Sequence, residues 1–407
     1  MADKQPILIT IFLPHEWSVY ARRPHWSAVS QKVNVLLIEP PTAMLFFWRH
    51  PGRLLSYFKS KSKVRRLNEN ILMFRPLSLS SHGISYRIPL LAIIDRMLIS
   101  LQLRKVIRSL KENYVSIVSF TVKVQQYYVA DIVNSDLNCY EITDEYRVKT
   151  GFEKYEQGNA FSKRAIRRES EILASADVVI ASSLPLYESR KKIHSNTFYL
   201  KNCADYNHFA KSPDANSFVA EDIQKLPKPI LGFLGNITDL VDLDLVNQLA
   251  HDKANWSLVF IGRNEISSTC KKLPSYSKFK SLPNIHLLGF KPYDHLPGYL
   301  KEFDVALMPF KQNVWLYNSS PNKIYQYLAA GLPIVSIAFP EIEAVKEVVF
   351  VAESRAQFIK LLENALNKNS ADDVTARREV AKQFTTEKRS AALIEILEHS
   401  LARKSTK

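Results

Sequence analysis

Cysteine is scarce in this chain of 407 residues, and its pattern argues against two kinds of stabilising site. The three cysteines, Cys139, Cys203 and Cys270, lie far apart and form no Cys-x-x-Cys pair. This spacing suits neither a disulfide framework nor a zinc site. It favours a reducing compartment, and the cytoplasm is the predicted location.

Long apolar runs are also missing. No run reaches the eighteen residues of a membrane-spanning helix, so we expect no such helix. Residues 7–13 are too few for a signal peptide and lack a small-residue cleavage site, so they are predicted to form a first strand. Internal repeats and low-complexity tracts are absent, whereas a hydrophobic content of 46% is sufficient for substantial cores.

Positive charge is abundant and uneven. The net charge is +15, of which residues 1–210 contribute +12 and residues 211–407 contribute +3. A basic half of this kind indicates an anionic partner: a phosphorylated substrate, a membrane surface or a nucleic acid.

The basic stretches 59–66, 163–168 and 190–192 carry much of this charge, and an apolar cluster at residues 44–48 lies near the first of them. Basic residues beside Phe46, Phe47 and Trp48 suit a peripheral contact with an anionic membrane, on the inner face of the plasma membrane. A solvated face beside a core segment explains the same pattern. Single-stranded nucleic acid ranks below both, because no nucleic-acid motif accompanies these residues.

Short apolar runs alternate with helix-length segments along the whole chain, which predicts an α/β fold with parallel sheets. The predicted strands are 7–12, 33–39, 71–75, 115–120, 139–143, 178–182, 230–234, 257–261, 285–288, 305–309, 334–338 and 348–351. A polar stretch, 211–229, divides them into two Rossmann-like series, with 225–230 as the linker. The predicted domains are therefore 1–224 and 225–384, followed by an amphipathic segment, 385–407. Ligands of such sheets bind at the carboxyl ends of the strands, here facing a central cleft.

One helical pattern lies in the first series. Seven apolar residues between 90 and 103 largely keep helical spacing, and Arg96, Arg104, Lys105 and Arg108 are expected elsewhere on the surface of that helix.

The most informative segment is 318–336, in which a polar turn feeds a small-residue helix. Ser320, Pro321 and Asn322 precede Lys323, and Gly331 stops the helix. A polar loop at a helix N-terminus is an anion site, because unpaired N–H groups and the helix dipole point at the loop. Lys323 adds a positive charge there. Gln326 follows three residues later on the same helical face.

This segment resembles the donor site of family 4 glycosyltransferases of GT-B fold, in particular bacterial surface-polysaccharide enzymes similar to teichuronic acid biosynthesis glycosyltransferases. Their pattern runs Asn-Pro-x-Lys-x-x-Glu-Tyr-Leu-Ala-Ala-Gly. The resemblance covers almost the whole chain, most strongly 230–340, and implies that 385–407 crosses back to the first domain. The family's Glu is replaced by Gln326, and Asn318 stands where the wider family has a second Glu.

Residues 230–245 resemble the family's first donor-domain strand and its glycine turn. Gly235 would let the backbone at Asn236 approach a diphosphate, and a tight strand-to-helix turn explains the same glycine. With ten glycines in the chain, the pair Gly232 and Gly235 is informative. Asp242 and Asp244 have the spacing of a metal-binding Asp-x-Asp. We interpret Asp242 instead as a helix cap, and predict no metal and no cofactor.

Residues 284–300 resemble the family's base-binding segment, whose loop, here Phe290, Lys291 and Pro292, holds the nucleotide base by backbone contacts. Arg263 follows the preceding strand and is positioned either to reach a diphosphate or to remain a solvated surface residue.

Two elements of the first domain also match. Residues 17–26 resemble the family's Gln-Arg-Pro-His loop with Arg22 in place of Gln; Arg23 and His25 would face the donor phosphate or an acidic acceptor, or lie in a basic surface turn. Residues 140–146 resemble an acidic element at a strand end. Asp144 and Glu145 would orient or deprotonate the acceptor hydroxyl, or cap a helix.

The resemblance implies an enzyme that moves a sugar from a UDP- or GDP-sugar to a growing glycan or lipid-linked acceptor, with retention of configuration and without metal. Lys323 would neutralise the leaving diphosphate, and Arg23 and Asp144 complete the predicted catalytic set. Gln326 can accept a ribose hydrogen bond but loses its charge-assisted part, roughly 1–2 kcal/mol.

Two other functions fit the sequence. One is a GT-B-like scaffold or subunit that has lost catalysis, which the replacement at Gln326 permits. The other is a sugar-nucleotide epimerase of the same fold, which would need no acceptor.

Overall fold

The structure is a computed structural model that describes residues 5–17, 20, 22–44, 64–80, 88–126, 132–145, 160–210 and 220–406. Two twisted sheets, each with helices against it, carry the described chain. The apolar cluster at 46–48 and most of the basic stretch 59–66 lie outside the described residues.

The first sheet has eight strands in the order β10-β9-β8-β7-β1-β2-β5-β4. Its pairs are parallel except β4 with β5. The strands are β1 (Gln5–Phe12), β2 (Asn34–Ile38), β4 (Arg65–Arg66), β5 (Ile71–Phe74), β7 (Tyr114–Thr121), β8 (Leu137–Ile142), β9 (Val178–Ala181) and β10 (Thr197–Tyr199), and a separate pair is formed by β3 (Thr42–Ala43) and β6 (Leu77–Ser78).

The second sheet has six parallel strands in the order β13-β12-β11-β14-β15-β16. They are β11 (Ile230–Leu234), β12 (Ser257–Ile261), β13 (Ile285–Gly289), β14 (Val305–Met308), β15 (Ile334–Ile337) and β16 (Phe350–Ala352). Four of them are buried at every residue, so they are continuous apolar runs rather than alternating ones.

Helices connect the strands of both sheets. In the first half they are α1 (Arg23–Val29), α2 (Pro89–Lys111), α3 (Ala160–Ser175), α4 (Leu184–Lys191), α5 (Tyr206–Ala210) and α6 (Glu221–Gln224). In the second half they are α7 (Leu243–Asp252), α8 (Pro274–Ser281), α9 (Leu296–Lys301), α10 (Val314–Tyr317), α11 (Lys323–Ala330), α12 (Arg355–Asn367), α13 (Ala371–Ala381) and α14 (Thr386–Ser405). Short 3₁₀ turns lie at Val124–Gln126, Cys270–Lys272, Tyr293–His295 and Pro340–Val348.

The twelve predicted strands are all present, within a few residues of their predicted ends, and the predicted two-sheet α/β architecture is confirmed. The strands missed by the sequence are β3, β4, β6 and β10, which have only two or three residues. Segments this short carry no periodic pattern.

The final helix, α14, returns to the first domain, as predicted. Leu393, Ile394 and Leu397 of this helix pack in the same hydrophobic core as the first sheet and Trp26 of α1. The return is fixed at its start, because Ala204 donates a hydrogen bond to the carbonyl of Phe384 and accepts one from the N–H of Thr386.

The numbered boundary at residues 224 and 225 stays a prediction. In the structure, the buried side chains of Ala204, Phe209 and Ile223 already pack in the core of the second sheet.

The predicted helical pattern between 90 and 103 lies in α2. Ile99, Leu103 and Ile107 face the core, while Leu90, Ile93, Met97 and Leu101 are exposed. Arg104 and Arg108 lie on the surface of the helix, as expected. They follow Leu101 at intervals of three and four residues and so continue the exposed apolar line.

Candidate functional site

Three glycines line the carboxyl edge of the second sheet, at the ends of β11, β12 and β13. Gly235, Gly262 and Gly289 all have positive φ, at +134°, +150° and +70°. A Cβ on Gly262 would collide with the carbonyl oxygen of Gly235, whereas a Cβ on Gly289 would meet nothing within 4 Å. The edge is therefore a bare backbone shelf that a ligand can approach closely. Only Gly235 was a predicted site residue; the signal for the other two was a glycine at each strand end in a glycine-poor chain.

Lys323, the first residue of α11, reaches this shelf. Its ammonium nitrogen lies 3.9 Å from the ring centre of Phe233 and 4.8 Å from that of Phe310. An ideal Cβ on Gly235 would be 2.8 Å from the same nitrogen. Burial lowers the pKa of Lys323 to about 7. Among the described residues, no carboxylate lies within ion-pair distance of this side chain.

The loop before α11 is held by the first domain. Asn202 donates a hydrogen bond of 2.6 Å from Nδ2 to the carbonyl of Ser320, and Ser183 donates one of 2.7 Å to the carbonyl of Asn318. Asn318 itself is buried, and its side chain donates to the carbonyl of Val314. The anion loop is thus positioned by contacts from both domains.

Gln326 lies one turn into α11 and faces a pocket between the domains. The pocket is lined on the side of the second domain by Asn322, Gln326 and Tyr293. The opposite wall and floor are formed by Arg22, Pro24, His25, Asn202, Cys203, Ala204, Asp205, Thr386 and Arg389. The structure therefore brings Asn322 and Gln326 together with the predicted first-domain loop.

A buried charge cluster forms the first-domain wall of this pocket. Arg22 and Arg389 each donate a hydrogen bond of 2.5 Å to the same oxygen, Oε1 of Glu141. Burial raises the pKa of Glu141, but the positive charges of Arg22 and Arg389 outweigh burial and lower the pKa below its ordinary value. Two guanidinium groups share one carboxylate, so this wall carries excess positive charge.

His25 belongs to the same cluster. Its Nε2 accepts a hydrogen bond of 2.6 Å from Arg389, and its ring is buried. Burial, followed by the charges of Arg389 and Arg22, lowers the pKa of His25 well below its ordinary value. His25 therefore lies at the pocket as a neutral hydrogen-bond acceptor that joins α1 to α14, and its place on the acceptor side stays a prediction.

At the outer end of the shelf, the guanidinium of Arg263 stacks on the ring of Phe290, with 5.0 Å to the ring centre. Its own backbone N–H donates to Oδ1 of Asn236 at 3.3 Å. Arg263, Phe290 and Asn236 therefore lie close together, next to Gly262 and Gly289, and form a cationic and aromatic surface.

Lys291 is turned away from this surface. Its ammonium group pairs with Asp222 at 2.6 Å and lies over the ring of Tyr299. Its side chain is therefore engaged within the protein, and the predicted base contact would rest on the loop backbone.

Arg23 contacts the second domain directly. It pairs with Asp294 at 3.5 Å and lies 5.9 Å from the ring centre of Tyr293. The predicted phosphate contact of Arg23 thus competes with an ion pair that bridges the cleft.

The two predicted acidic residues after β8 have different surroundings. Asp144 is half-buried and pairs with Lys123 at 3.0 Å. Glu145 is buried, and both of its oxygens accept hydrogen bonds from Arg190, which also pairs with Glu169. Arg190 was predicted within a basic stretch on the surface, and this was wrong, because it is buried in these ion pairs.

His15, which follows β1, was missed by the sequence. Burial lowers its pKa, and the charges of Lys123 in the first domain and Arg263 in the second lower it further. A lone histidine after a strand has no local signal; its place in the cleft emerges only from the fold.

Asp242 caps α7, as predicted, by accepting a hydrogen bond from the N–H of Leu245. It also forms a bidentate pair with Arg355. Within the described ranges, no cluster of three His, Cys, Asp or Glu residues is arranged to hold a metal ion. No helix in those ranges has both the length and the apolar character to cross a bilayer.

Comparison with known families gives a match over most of the second domain. Residues 228–368 match the family model of glycosyl transferases group 1. The curated protein TuaH of Bacillus subtilis (strain 168), provisionally assigned as a teichuronic acid biosynthesis glycosyltransferase, is 26% identical over 178 residues. That alignment spans 44% of this chain and 42% of the relative, which is less than half of either protein.

Solved structures match over nearly the full length. HepE from Anabaena, in complex with UDP, superposes with a TM-score of 0.62 at 14% identity, over 97% of this chain and 100% of that one. Sucrose-phosphate synthase from Thermosynechococcus elongatus has a TM-score of 0.67 at 13% identity, over 97% and 99%. HepE has also been solved with UDP-glucose. These likenesses establish the fold.

Proposed function

Residues 228–368 match the group 1 glycosyl transferases and the chain has the GT-B fold; from this premise we propose that the chain is a group 1 glycosyl transferase, and we propose the reaction it performs. It transfers a hexosyl-type sugar from a nucleoside diphosphate sugar to a surface-polysaccharide or lipid-linked acceptor. The configuration is retained, and no bound metal is required. The acceptor class is supported by the similarity to a teichuronic acid biosynthesis glycosyltransferase.

The observation that carries this proposal is the position of Lys323. Its ammonium group lies against Gly235 at the carboxyl end of β11, where the bare backbone admits a diphosphate. The faces of Phe233 and Phe310 attract the cation and keep water away. The group is buried and has no carboxylate partner among the described residues, so its charge is available to a ligand.

Lys323 then acts on the leaving group. As the bond between the sugar and the diphosphate breaks, negative charge grows on the diphosphate oxygens. The Lys323 cation and the N–H groups at the start of α11 stabilise that charge in a site of low polarity. This interaction is stronger in the transition state than in the ground state, so it accelerates the reaction rather than only binding the donor.

The nucleoside lies along the same edge. Gln326 is proposed to accept a hydrogen bond from a ribose hydroxyl through its amide oxygen. The backbone of Phe290 and Lys291 holds the base beside the Arg263 stack. The UDP and UDP-glucose complexes of HepE support a uridine nucleotide as the first donor to test.

The acceptor approaches from the first domain. Asp144, held by Lys123, is proposed to orient the acceptor hydroxyl and to receive its proton. His15 lies in the same part of the cleft, near Arg263. Glu145 is left out of the reaction, because both of its oxygens are occupied by Arg190.

Calorimetric titration of the protein with UDP and GDP, in the presence of EDTA, tests the donor site. We expect saturable binding of one nucleotide, and Lys323→Met should weaken it at least about tenfold. The matched control is Lys346→Met, which removes an exposed lysine of the same domain and should bind as the wild type does. If neither nucleotide binds at millimolar concentration, the proposal is contradicted, and the alternative function as a non-catalytic scaffold or subunit remains.

Product analysis separates the remaining functions. With donor and a lipid-linked acceptor, a transferase forms a new glycosidic bond, whereas an epimerase converts the donor alone. We expect no conversion without acceptor, and a product whose anomeric proton coupling matches that of the donor. Loss of activity in EDTA, or inversion at the anomeric carbon, would overturn the corresponding part of the proposal.

A further inference from the structure

Helix α2 presents an unusual exposed face. Along it lie seven residues spaced three or four apart, which places them on one side of the helix. We call this set the α2 stripe: Leu90, Ile93, Met97, Leu101, Arg104, Arg108 and Lys111.

The first half of the stripe is apolar and open to solvent. The exposed fractions of Leu90, Ile93, Met97 and Leu101 are 66%, 65%, 60% and 58%. The opposite face of the helix is normally packed, with Ile99, Leu103 and Ile107 in the core of the first domain. Four large apolar side chains in one line are unusual at a surface, and they mark a site of interaction.

The second half of the stripe is basic. Arg104, Arg108 and Lys111 are exposed, and no acidic side chain of the described residues lies within ion-pair distance of them. The acidic residue within the helix, Asp95, is buried on the other face, where it accepts hydrogen bonds from the N–H groups of Leu79 and Ser80. The exposed face is therefore apolar and positively charged.

We propose that the α2 stripe docks the enzyme on an anionic lipid surface. The apolar half enters the boundary between headgroups and acyl chains, and the basic half contacts anionic headgroups. The helix has 23 residues and is therefore about 35 Å long, so both halves contact the same lipid surface when it lies in the interface. Because its inner face is packed in the core, α2 rests on the membrane as part of the folded domain.

Charge favours lipid over a second copy of this chain. Residues 1–210 carry a net charge of +12, so two copies meeting through this half repel each other. Nucleic acid is disfavoured, because the stripe has no aromatic side chain on which a base could stack. The α2 stripe is a different surface from the membrane contact predicted around residues 44–48. The proposal for the stripe does not depend on the proposed donor site.

Sedimentation with vesicles of phosphatidylglycerol and phosphatidylcholine tests the proposal. We expect the full chain to sediment with them at low salt, more weakly at 0.5 M salt, and not with phosphatidylcholine alone. The triple variant Ile93→Gln, Met97→Gln, Leu101→Gln should reduce the partition coefficient about tenfold or more. The triple variant Arg104→Gln, Arg108→Gln, Lys111→Gln should also reduce it at least about tenfold.

Matched controls come from the rest of the surface. Ile193→Gln with Leu273→Gln removes exposed apolar side chains elsewhere, and the triple variant Lys271→Gln, Lys272→Gln, Lys278→Gln removes the same charge from the second domain. Both should bind vesicles as the wild type does. The stripe residues are exposed, so every variant should keep the wild-type melting temperature and nucleotide affinity.

Two results would overturn the proposal. In one, the apolar stripe variant binds anionic vesicles as well as the wild type does. In the other, light scattering shows a wild-type dimer that this variant converts to a monomer, while vesicle binding is unchanged. Failure of nucleotide binding alone would count against the donor site and leave the stripe unaffected.

Discussion

The ammonium nitrogen of Lys323 lies 2.8 Å from the point where a side chain on Gly235 would begin. The space that a methyl group would take at the end of β11 is therefore needed by the lysine. Gly235 also has a φ of +134°, which L side chains rarely adopt. A side chain at residue 235 would therefore have to displace the ammonium group of Lys323.

Gly235→Ala should consequently weaken donor binding. The new methyl group would strain the backbone and push the ammonium group out of its place between Phe233 and Phe310, lowering UDP affinity at least about tenfold. Calorimetry gives the affinity, and thermal unfolding gives the stability.

Making Gly235→Ala in a Lys323→Ala variant separates the effect of the collision with the lysine from the effect of backbone strain. In Lys323→Ala the lysine no longer occupies the space, so Gly235→Ala should cost less stability there than in the wild type. Equal costs in the two backgrounds would show that backbone strain alone matters.

The pH dependence of donor binding should report on Lys323. Burial lowers its pKa to about 7, and a bound diphosphate favours the cation and raises the pKa again. Above pH 7 the free enzyme must therefore take up a proton to bind, and affinity should fall by up to about tenfold per pH unit. The window from pH 7 to 9 avoids protonation of the nucleotide.

Calorimetry in two buffers of different ionisation enthalpy measures that proton directly. We expect an uptake approaching one proton per UDP at pH 8, and none in Lys323→Met. An affinity that stays constant between pH 7 and 9 would contradict the lowered pKa.

Gln326→Glu should strengthen donor binding. The change restores a charge-assisted hydrogen bond to ribose, for a gain of about tenfold. Arg22 and Arg389 line the same pocket and favour the new negative charge. Gln326→Leu, which keeps the volume and removes the acceptor, is the matched control and should bind more weakly than the wild type. If Glu and Leu weaken binding equally, Gln326 does not contact the ribose.

Glu141→Gln should destabilise the fold. It leaves the guanidinium groups of Arg22 and Arg389 buried without a carboxylate, at a cost of about 3 kcal/mol in the free energy of unfolding. The control, Glu363→Gln, breaks an exposed pair with Lys253 and should leave the free energy of unfolding nearly unchanged.

The sign of the pH effect follows from the lowered pKa of Glu141. Its stabilising contribution is present above its unfolded pKa and is lost as pH falls through the folded value. Urea unfolding at pH 7 and at pH 3.5 should therefore show a larger difference between wild type and Glu141→Gln at the higher pH. A constant difference would mean that the buried carboxylate is not ionised.

The fold could be predicted from sequence where strands are long and buried on both faces. Residues 230–234 and 334–337 are continuous apolar runs, and local composition is enough to identify them. β4 has two exposed arginines and pairs antiparallel with β5, an arrangement that only the completed sheet edge can specify.

The candidate site likewise has features that were predictable from sequence and features that were not. The turn into α11 was predictable because the helix N-terminus and Lys323 are adjacent in sequence. The partners of Glu145 and Lys291 were not, because Arg190 and Asp222 lie 45 and 69 residues away. Pairing at that distance is decided by which elements pack together. A charged residue in a motif can therefore form an ion pair within the protein instead of contacting a ligand.

The hydrogen bonds between Ala204 and the Phe384–Thr386 segment have one more consequence. Within the described residues, the segment at Ala204 and the segment that leads into α14 both pass between the two domains, and they are tied to each other at this point. An opening of the cleft that keeps these bonds would have to turn about this point. The Arg23–Asp294 ion pair is a further link between the two domains that such a movement must accommodate.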